Sequence, residues 1–329
     1  MTNQVTLDDI RRAAERIKTT ARRTPLERSR WLSDELDADV WLKLECLQLT
    51  GSFKLRGAMA RLSRLTDEEH ARGVLTVSAG NHGLGVAYCA EALELDARIV
   101  VPRSASPAKV AAIRRYGATL VECGETYNEA ERAARRMEAE SGATFVSPYN
   151  DAEVIAGQGT VALELLEDAQ DLDAIIVPVG GGGLIAGVAI AVKAIRPQIK
   201  IYGAEPAATA TMTAALAAGR IVEISEEETI ADGLAGNIEP DSMTFPIVRD
   251  LVDDMMVVDE AAMRRAIARV AREDHLMIEA SAAVSVAALS GARLRGRRVA
   301  AIITGRNITL DLFARVIAEG ICENADHMK

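Results

Sequence analysis

The chain has no run of 18 or more apolar residues, and its first residues are rich in threonine and aspartate where a secretory leader would be basic and then apolar. This predicts neither a transmembrane span nor a signal peptide. Positive charge is also in short supply. The 38 lysines and arginines stand against 48 aspartates and glutamates, a formal net charge of −10, which argues against nucleic acid and anionic membranes as partners. Cys46, Cys89, Cys123 and Cys322 are widely scattered with no C-x-x-C among them, so they read as reduced thiols of a cytoplasmic protein. His70, His82, His275 and His327 are equally dispersed. No metal site is predicted. No repeat, heptad run or low-complexity tail interrupts the chain.

What is present is enough for a large core: 329 residues with 49% hydrophobic content, a length that suggests about two domains. Thr6-Leu7-Asp8-Asp9 looks like a helix cap, followed by Ile10, Ala13, Ala14 and Ile17 at helical spacing. Residues 40–45 alternate as a strand does. Short apolar runs near Val74, Val100, Leu120 and Phe145, and then near Ile175, Ile201 and Ile302, are separated by helical stretches. One of these opens on Ser106-Pro107 and stops before Gly117; another begins near Asp151. Strands spaced by helices predict an α/β fold with two open, mainly parallel sheets flanked by helices, and a ligand at the carboxyl ends of the strands.

Four stretches carry chemistry. Thr50-Gly51-Ser52-Phe53-Lys54-Leu55-Arg56-Gly57 places a lysine after a glycine bend and an aromatic residue, where it is either a solvated helix-start lysine or a desolvated amine able to attack a carbonyl. Gly180-Gly181-Gly182-Gly183-Leu184 joins a predicted strand to a predicted helix. It is either a flexible turn or a close backbone approach to an anion at a helix N-terminus. It is neither a Walker lysine loop nor a dinucleotide fingerprint. Ser78-Ala79-Gly80-Asn81-His82-Gly83 and Ile303-Thr304-Gly305-Arg306-Asn307 each end a predicted strand as well.

Taken in this order, together with residues 154–160 (VIAGQGT) and 229–234 (TIADGL), these stretches resemble the serine/threonine dehydratase and serine racemase branch of the fold type II pyridoxal-phosphate enzymes. The resemblance runs from about residue 5 to 315. It implies a tryptophan-synthase-β-like fold, with a small domain at 52–148 inserted in a large cofactor-binding domain made of 1–51 and 149–329. It implies pyridoxal 5'-phosphate as cofactor, a small amino acid as substrate and a homodimer or homotetramer. A C-terminal regulatory domain of the biosynthetic threonine dehydratases is not expected. Lys54 would form the Schiff base and act as general base, with Phe53 beside the pyridine ring. Gly180, Gly181, Gly182, Gly183 and Leu184 would hold the phosphate, with Asn150 as a further contact on that side. Asn81 would meet the phenolic oxygen, and Ser78, Ala79, Asn81 and His82 would line the substrate carboxylate. Glu279 would stand near the ring.

Thr304 bears on reaction type. A carboxylate opposite the ring nitrogen would keep it protonated and favour a fully delocalised carbanion, as transamination requires; a hydroxyl cannot. The resemblance therefore implies loss of water from a β-hydroxy amino acid such as L-threonine or L-serine, giving a 2-oxo acid and ammonia. Ala79 stands where the racemases of this branch carry their second acid/base, a serine, so racemisation ranks below dehydration. Glu205 is followed six residues on by Thr211, where animal-type racemases have a metal-binding aspartate. Arg306 replaces a glycine, either as a surface or ion-paired arginine or as a contact to a second anionic group. A similar turn occurs in dehydratases linked to hydroxyectoine breakdown, which keeps 3-hydroxyaspartate and larger substrates open. A β-replacing synthase and a non-catalytic binding protein are the remaining alternatives.

Overall fold

A computed structural model describes residues 5–225, 227–291 and 294–327; the side chains of Asn128 and of 321–329, among them Cys322 and His327, lie outside the described set. Ten strands form two sheets. The larger is ordered β1-β2-β10-β7-β8-β9 and the smaller β5-β4-β3-β6. The strands are β1 (Leu26–Arg28), β2 (Asp39–Lys43), β3 (Val74–Val77), β4 (Ala97–Val101), β5 (Thr119–Glu122), β6 (Thr144–Phe145), β7 (Ala174–Pro178), β8 (Lys200–Pro206), β9 (Asp254–Val258) and β10 (Arg298–Ile302). Every pairing is parallel except β1 with β2. This is the expected α/β fold. Two strands went unforeseen: β1 has only three residues, and β9 lies at a sheet edge with a mixed burial pattern.

The period of two in the strands sorts their side chains between layers. Ile175 and Val177 of β7, with Ala300 and Ile302 of β10, enter the core that continues into the smaller sheet. Ala174, Ile176, Val299 and Ala301 face the opposite core, beneath the helices Glu260–Glu273 and Ala280–Leu289. Leu75, Val77 and Val100 pack the outer face of the smaller sheet. Helix starts follow their caps. Thr6 and Asp9 form a reciprocal capping box, and Pro107 opens the helix Pro107–Arg114. The Asp151 carboxylate accepts from Glu153 and Val154 at the head of Ala152–Asp168.

Three helices between the sheets touch backbone to backbone. A Cβ at Gly157 would stand 2.7 Å from Gly57 Cα, and one at Gly187 would stand 2.4 Å from the Ile155 carbonyl. The glycines of the 154–160 stretch therefore set how near the helix Lys54–Leu62 lies to Ala152–Asp168, and how near that lies to Gly183–Ile195. The first of these contacts is locked by a buried cluster of charge. Arg56, 1% exposed, donates to both oxygens of Glu45 at 2.8 Å and to both oxygens of Glu164 at 2.7 and 2.9 Å. Lys43 Nζ adds bonds to Glu164 at 2.6 Å and to the Thr24 carbonyl at 2.7 Å. Two cations thus face two anions, with no large net charge left buried. Removing one member leaves the others unpaired, at a cost of about 3–5 kcal/mol. Urea unfolding of Arg56→Met apoprotein should therefore show a loss of about that size; an unchanged midpoint with an unchanged slope would refute the assignment.

Candidate active site

The site is assembled at the carboxyl ends of β3, β7 and β10, where the chain leaves each strand through one of the motif stretches. The Lys54 loop is spliced to the turn after β10. Phe53 N–H donates to the Thr304 carbonyl at 3.1 Å and Arg306 N–H to the Gly51 carbonyl at 2.9 Å, around an antiparallel bridge between Ser52 and Gly305. Gly51 takes φ +76°, a conformation that side chains other than glycine rarely adopt. The splice brings together residues some 250 positions apart in sequence.

Lys54 is the first residue of its helix, half-buried, with Nζ 2.8 Å from the Pro148 carbonyl and 5.2 Å from the centre of the Phe53 ring. Burial pulls its pKa down to about 8, against the opposing pull of the Glu279 carboxylate. Glu279, at the N-cap of Ala280–Leu289, is pushed the other way, up to about 7, by burial and then by the charge of Asp232. Its Oε1 accepts from Asn81 Nδ2 at 2.7 Å and its Oε2 from Asn307 N–H at 3.1 Å. Asn81 opens the helix Asn81–Ala92, whose N-cap, Gly80, offers no side-chain bond, leaving the first amides of that helix facing the cleft. Ser78 Oγ accepts from Gly80 N–H at 3.1 Å, and half-buried Ala79 lies between them.

His82 is buried, with Nε2 3.0 Å from the Val146 carbonyl. A carbonyl only accepts, so Nε2 carries the proton and Nδ1, which has no partner, is a bare acceptor. Burial, then the charge of Lys54, pulls its pKa down to about 3, so the ring is neutral.

The tetraglycine stretch heads the helix Gly183–Ile195, with Gly182 at φ +87° as a cap without a side chain. A Cβ at Gly181 would lie 2.4 Å from the Tyr149 ring, at Gly183 2.9 Å from Tyr149 Cα and at Gly180 3.1 Å from Leu234 Cα. Thr244 Oγ1 pins the Gly181 carbonyl at 2.7 Å, and Leu184 is buried behind the loop. Tyr149 follows Pro148, whose carbonyl holds Lys54, so the glycine loop and the lysine share one segment. Asn150 is beside them, but its amide serves that segment's neighbours: Nδ2 donates to Glu239 at 2.7 Å and Oδ1 accepts from Met243 N–H at 2.9 Å. Thr304 is buried within the splice. Arg306 is exposed, and its guanidinium bears on Cys46, whose thiol burial pushes up to about 12 against that charge.

Asn307, Tyr149 and Thr244 were not singled out by the motifs. Nor was the ion pair of Lys109 with Asp232, which joins the helix Pro107–Arg114 to the turn Asp232–Leu234 across the cleft. Asn307 closes the turn that carries Thr304 and Tyr149 precedes Asn150, so both were adjacent to a signal. Glu205 accepts from Met212 N–H and Thr213 N–H at 2.8 Å and Thr213 Oγ1 at 2.5 Å, heading the helix Thr211–Ala218. Among the described residues, no group of three or more His, Cys, Asp or Glu is placed to hold a metal ion.

These residues fit a phosphorylated aldehyde. The four glycines leave backbone amides open at a helix N-terminus where any Cβ would collide, and a desolvated amine stands nearby. Comparison with known proteins points the same way. The family described as Pyridoxal-phosphate dependent enzyme matches residues 17–305. The L-threonine ammonia-lyase of Thermotoga maritima is 40% identical over 321 residues, covering 97% of this chain and 80% of the relative. The catabolic L-threonine dehydratase TdcB of Escherichia coli K12 is 38% identical over 316 residues, 95% of this chain and 96% of the relative. Among solved structures, maize serine racemase superposes with a TM-score of 0.90 at 36% identity, covering 98% of this chain and 99% of that one.

Because Lys54 is buried as a cation below its pKa, it costs the empty protein stability. Its folded pKa lies below the ordinary 10.5, so the cost is full below about pH 8 and fades as pH rises toward the ordinary value. Apoprotein Lys54→Met should melt a few degrees above wild type at pH 7, with the gap narrowing by pH 9.5; an equal or lower melting point at pH 7 would contradict the desolvation.

Proposed function

The chain belongs to the pyridoxal-phosphate-dependent enzymes, and on that premise we propose that it removes water from a β-hydroxy-L-amino acid of the threonine or serine type, releasing a 2-oxo acid and ammonia. The observation that carries the proposal is the desolvated Lys54 amine, spliced to the Thr304 turn and facing the Asn81–Glu279 pair. Relatives named for threonine deamination, at 40% and 38% identity, support it.

In this reading Lys54 would hold the cofactor's aldehyde, the 180–184 stretch would hold its phosphate with Asn150 supporting that side, and Asn81, Phe53, Glu279 and Thr304 would meet its ring. When bound, the cofactor supplies a sink for the electron pair left at the substrate Cα. The free Lys54 amine takes the Cα proton, its lowered pKa favouring the neutral, basic form near pH 8. The first amides of Asn81–Ala92, the backbone N–H of His82 among them, with Ser78 beside them, would receive the substrate carboxylate. The neutral His82 ring, whose Nδ1 is a buried acceptor, offers that carboxylate no donor. The β-hydroxyl would depart as water with the proton that Lys54 took from Cα, and the released enamine would hydrolyse in solvent to the 2-oxo acid and ammonia. Thr304 brings a hydroxyl to the ring and no charge, which suits elimination over transamination. The division at 52–148 belongs to the same proposal, supported by the smaller sheet drawing every strand from inside that range.

Lys109 is paired with Asp232, whereas exposed Arg306 faces only a neutral thiol, so the charges at the mouth leave both an uncharged and an acidic substrate side chain open. Racemisation is the second reading, favoured by the superposition on maize serine racemase and opposed by Ala79.

Purified protein supplied with pyridoxal 5'-phosphate and L-threonine or L-serine should release equal amounts of 2-oxo acid and ammonia. Lys54→Ala should lower the rate about 1,000-fold or more. Wild-type protein that binds the cofactor and makes neither product would refute the elimination. Ala79→Ser places a hydroxyl opposite Lys54 and should gain D-serine formation from L-serine, measured by chiral chromatography; D-serine made equally by wild type would show that Ala79 does not decide between the reactions.

A further inference from the structure

We propose that Asn307 is a positioning residue: it fixes which way the Asn81 amide faces, and so makes Asn81 a hydrogen-bond donor toward the cofactor ring. The inference rests on the reading of the site given above. The oxygen and nitrogen of a side-chain amide are nearly alike in size, so its neighbours decide its orientation. Here the chain of neighbours begins at a group that has only one role. The Thr50 carbonyl can only accept, and the Asn307 side-chain atom 2.9 Å from it must therefore be Nδ2. That same Nδ2 lies 2.6 Å from the Asn81 side chain, so the Asn81 atom facing it must be the acceptor Oδ1.

Asn81 Nδ2 is thereby turned toward Glu279 Oε1, at 2.7 Å. One of its two N–H bonds is used there. The other is left to donate to an oxygen of the bound ring, and Asn81 has no acceptor to offer on that side. Donation favours the ionised form of a ring hydroxyl, so the orientation acts on the protonation of the cofactor. Asn307 also holds Glu279, through its own N–H at 3.1 Å to Oε2. One residue thus registers three segments: the loop before Lys54, the head of Asn81–Ala92 and the head of Ala280–Leu289. Its Oδ1 rests where a Cβ at Gly51 would come within 2.7 Å, so Gly51 is required by this amide as well as by its own φ.

The test uses Asn307→Ala, which removes both bonds, and Asn307→Asp, which keeps the shape but presents only acceptors to Thr50 and Asn81. Each is reconstituted with pyridoxal 5'-phosphate beside wild type and Lys54→Ala. Dissociation constants come from the visible absorption band, and the band is then titrated from pH 6 to 10. Both Asn307 variants should bind the cofactor about tenfold more weakly, the loss expected for one hydrogen bond to a charged group. In both, the pH midpoint of the band should rise, because a ring oxygen without its donor holds a proton more tightly. A purely architectural role would lower apoprotein melting without moving that midpoint. Should Asn307→Ala fail to fold, the isosteric Asn307→Asp carries the comparison. Wild-type protein with no band that depends on Lys54 overturns the cofactor site and this proposal with it. Wild-type protein with that band, matched by the variants in affinity and midpoint, overturns the role of Asn307 alone.

Discussion

Two cations two residues apart are given opposite environments, and the site depends on the contrast. Arg56 meets four carboxylate oxygens from Glu45 and Glu164 and stays charged although it is buried. Lys54 is given one carbonyl and an aromatic face, and its charge is penalised. Both sit in the first turn of one short helix, so the ion cluster that costs desolvation at Arg56 also holds that turn against Ala152–Asp168. Hydrophobic residues could fill the same space at no loss of stability. They would not fix the direction of the helix with bidentate geometry, and the reach of Lys54 Nζ is measured from that helix.

The same rigidity explains the glycines. Parallel strands end in loops that point to one side, and a ligand there must be met by backbone, because the strands themselves are buried on both faces. At 180–183 the helix head approaches Tyr149 and Leu234 so closely that side chains are excluded, and what remains there is backbone. At Gly57, Gly157, Gly159 and Gly187 the exclusion serves packing instead, drawing three helices together beneath the site. Glycines of one kind shape the loop and those of the other bring the helices together beneath it.

The candidate stretches stood out in the sequence because each breaks a local rule: four successive glycines, a lysine after a glycine bend, an asparagine heading a helix directly after a strand. The caps at Thr6, Pro107 and Asp151 were legible because capping is a matter of three or four residues. Pairing at a distance was not. Glu45 and Glu164 lie 11 and 108 positions from Arg56, and charge in the sequence reads as solvated surface until the fold removes the water. Asn307 stood in a recognised turn, yet its role needs Thr50, Asn81 and Glu279 at once. Asn150 was placed on the phosphate side by resemblance, and its amide is turned to the 239–243 segment, a contact no periodicity encodes.

Burial acts on three titratable groups in the cleft and leaves them unequal. His82, pulled to about 3, takes no part in proton exchange near neutrality. Lys54 and Glu279 are drawn from opposite ends of the scale to about 8 and about 7. Each is destabilised in its charged form, and the attraction between the charges offsets part of that cost. A carboxylate raised by burial, tied to Asn81 and Asn307, thus shares the cleft with an amine lowered by burial. Burial thus sets the direction of all three shifts, and at Glu279 the bonds from Asn81 and Asn307 oppose it.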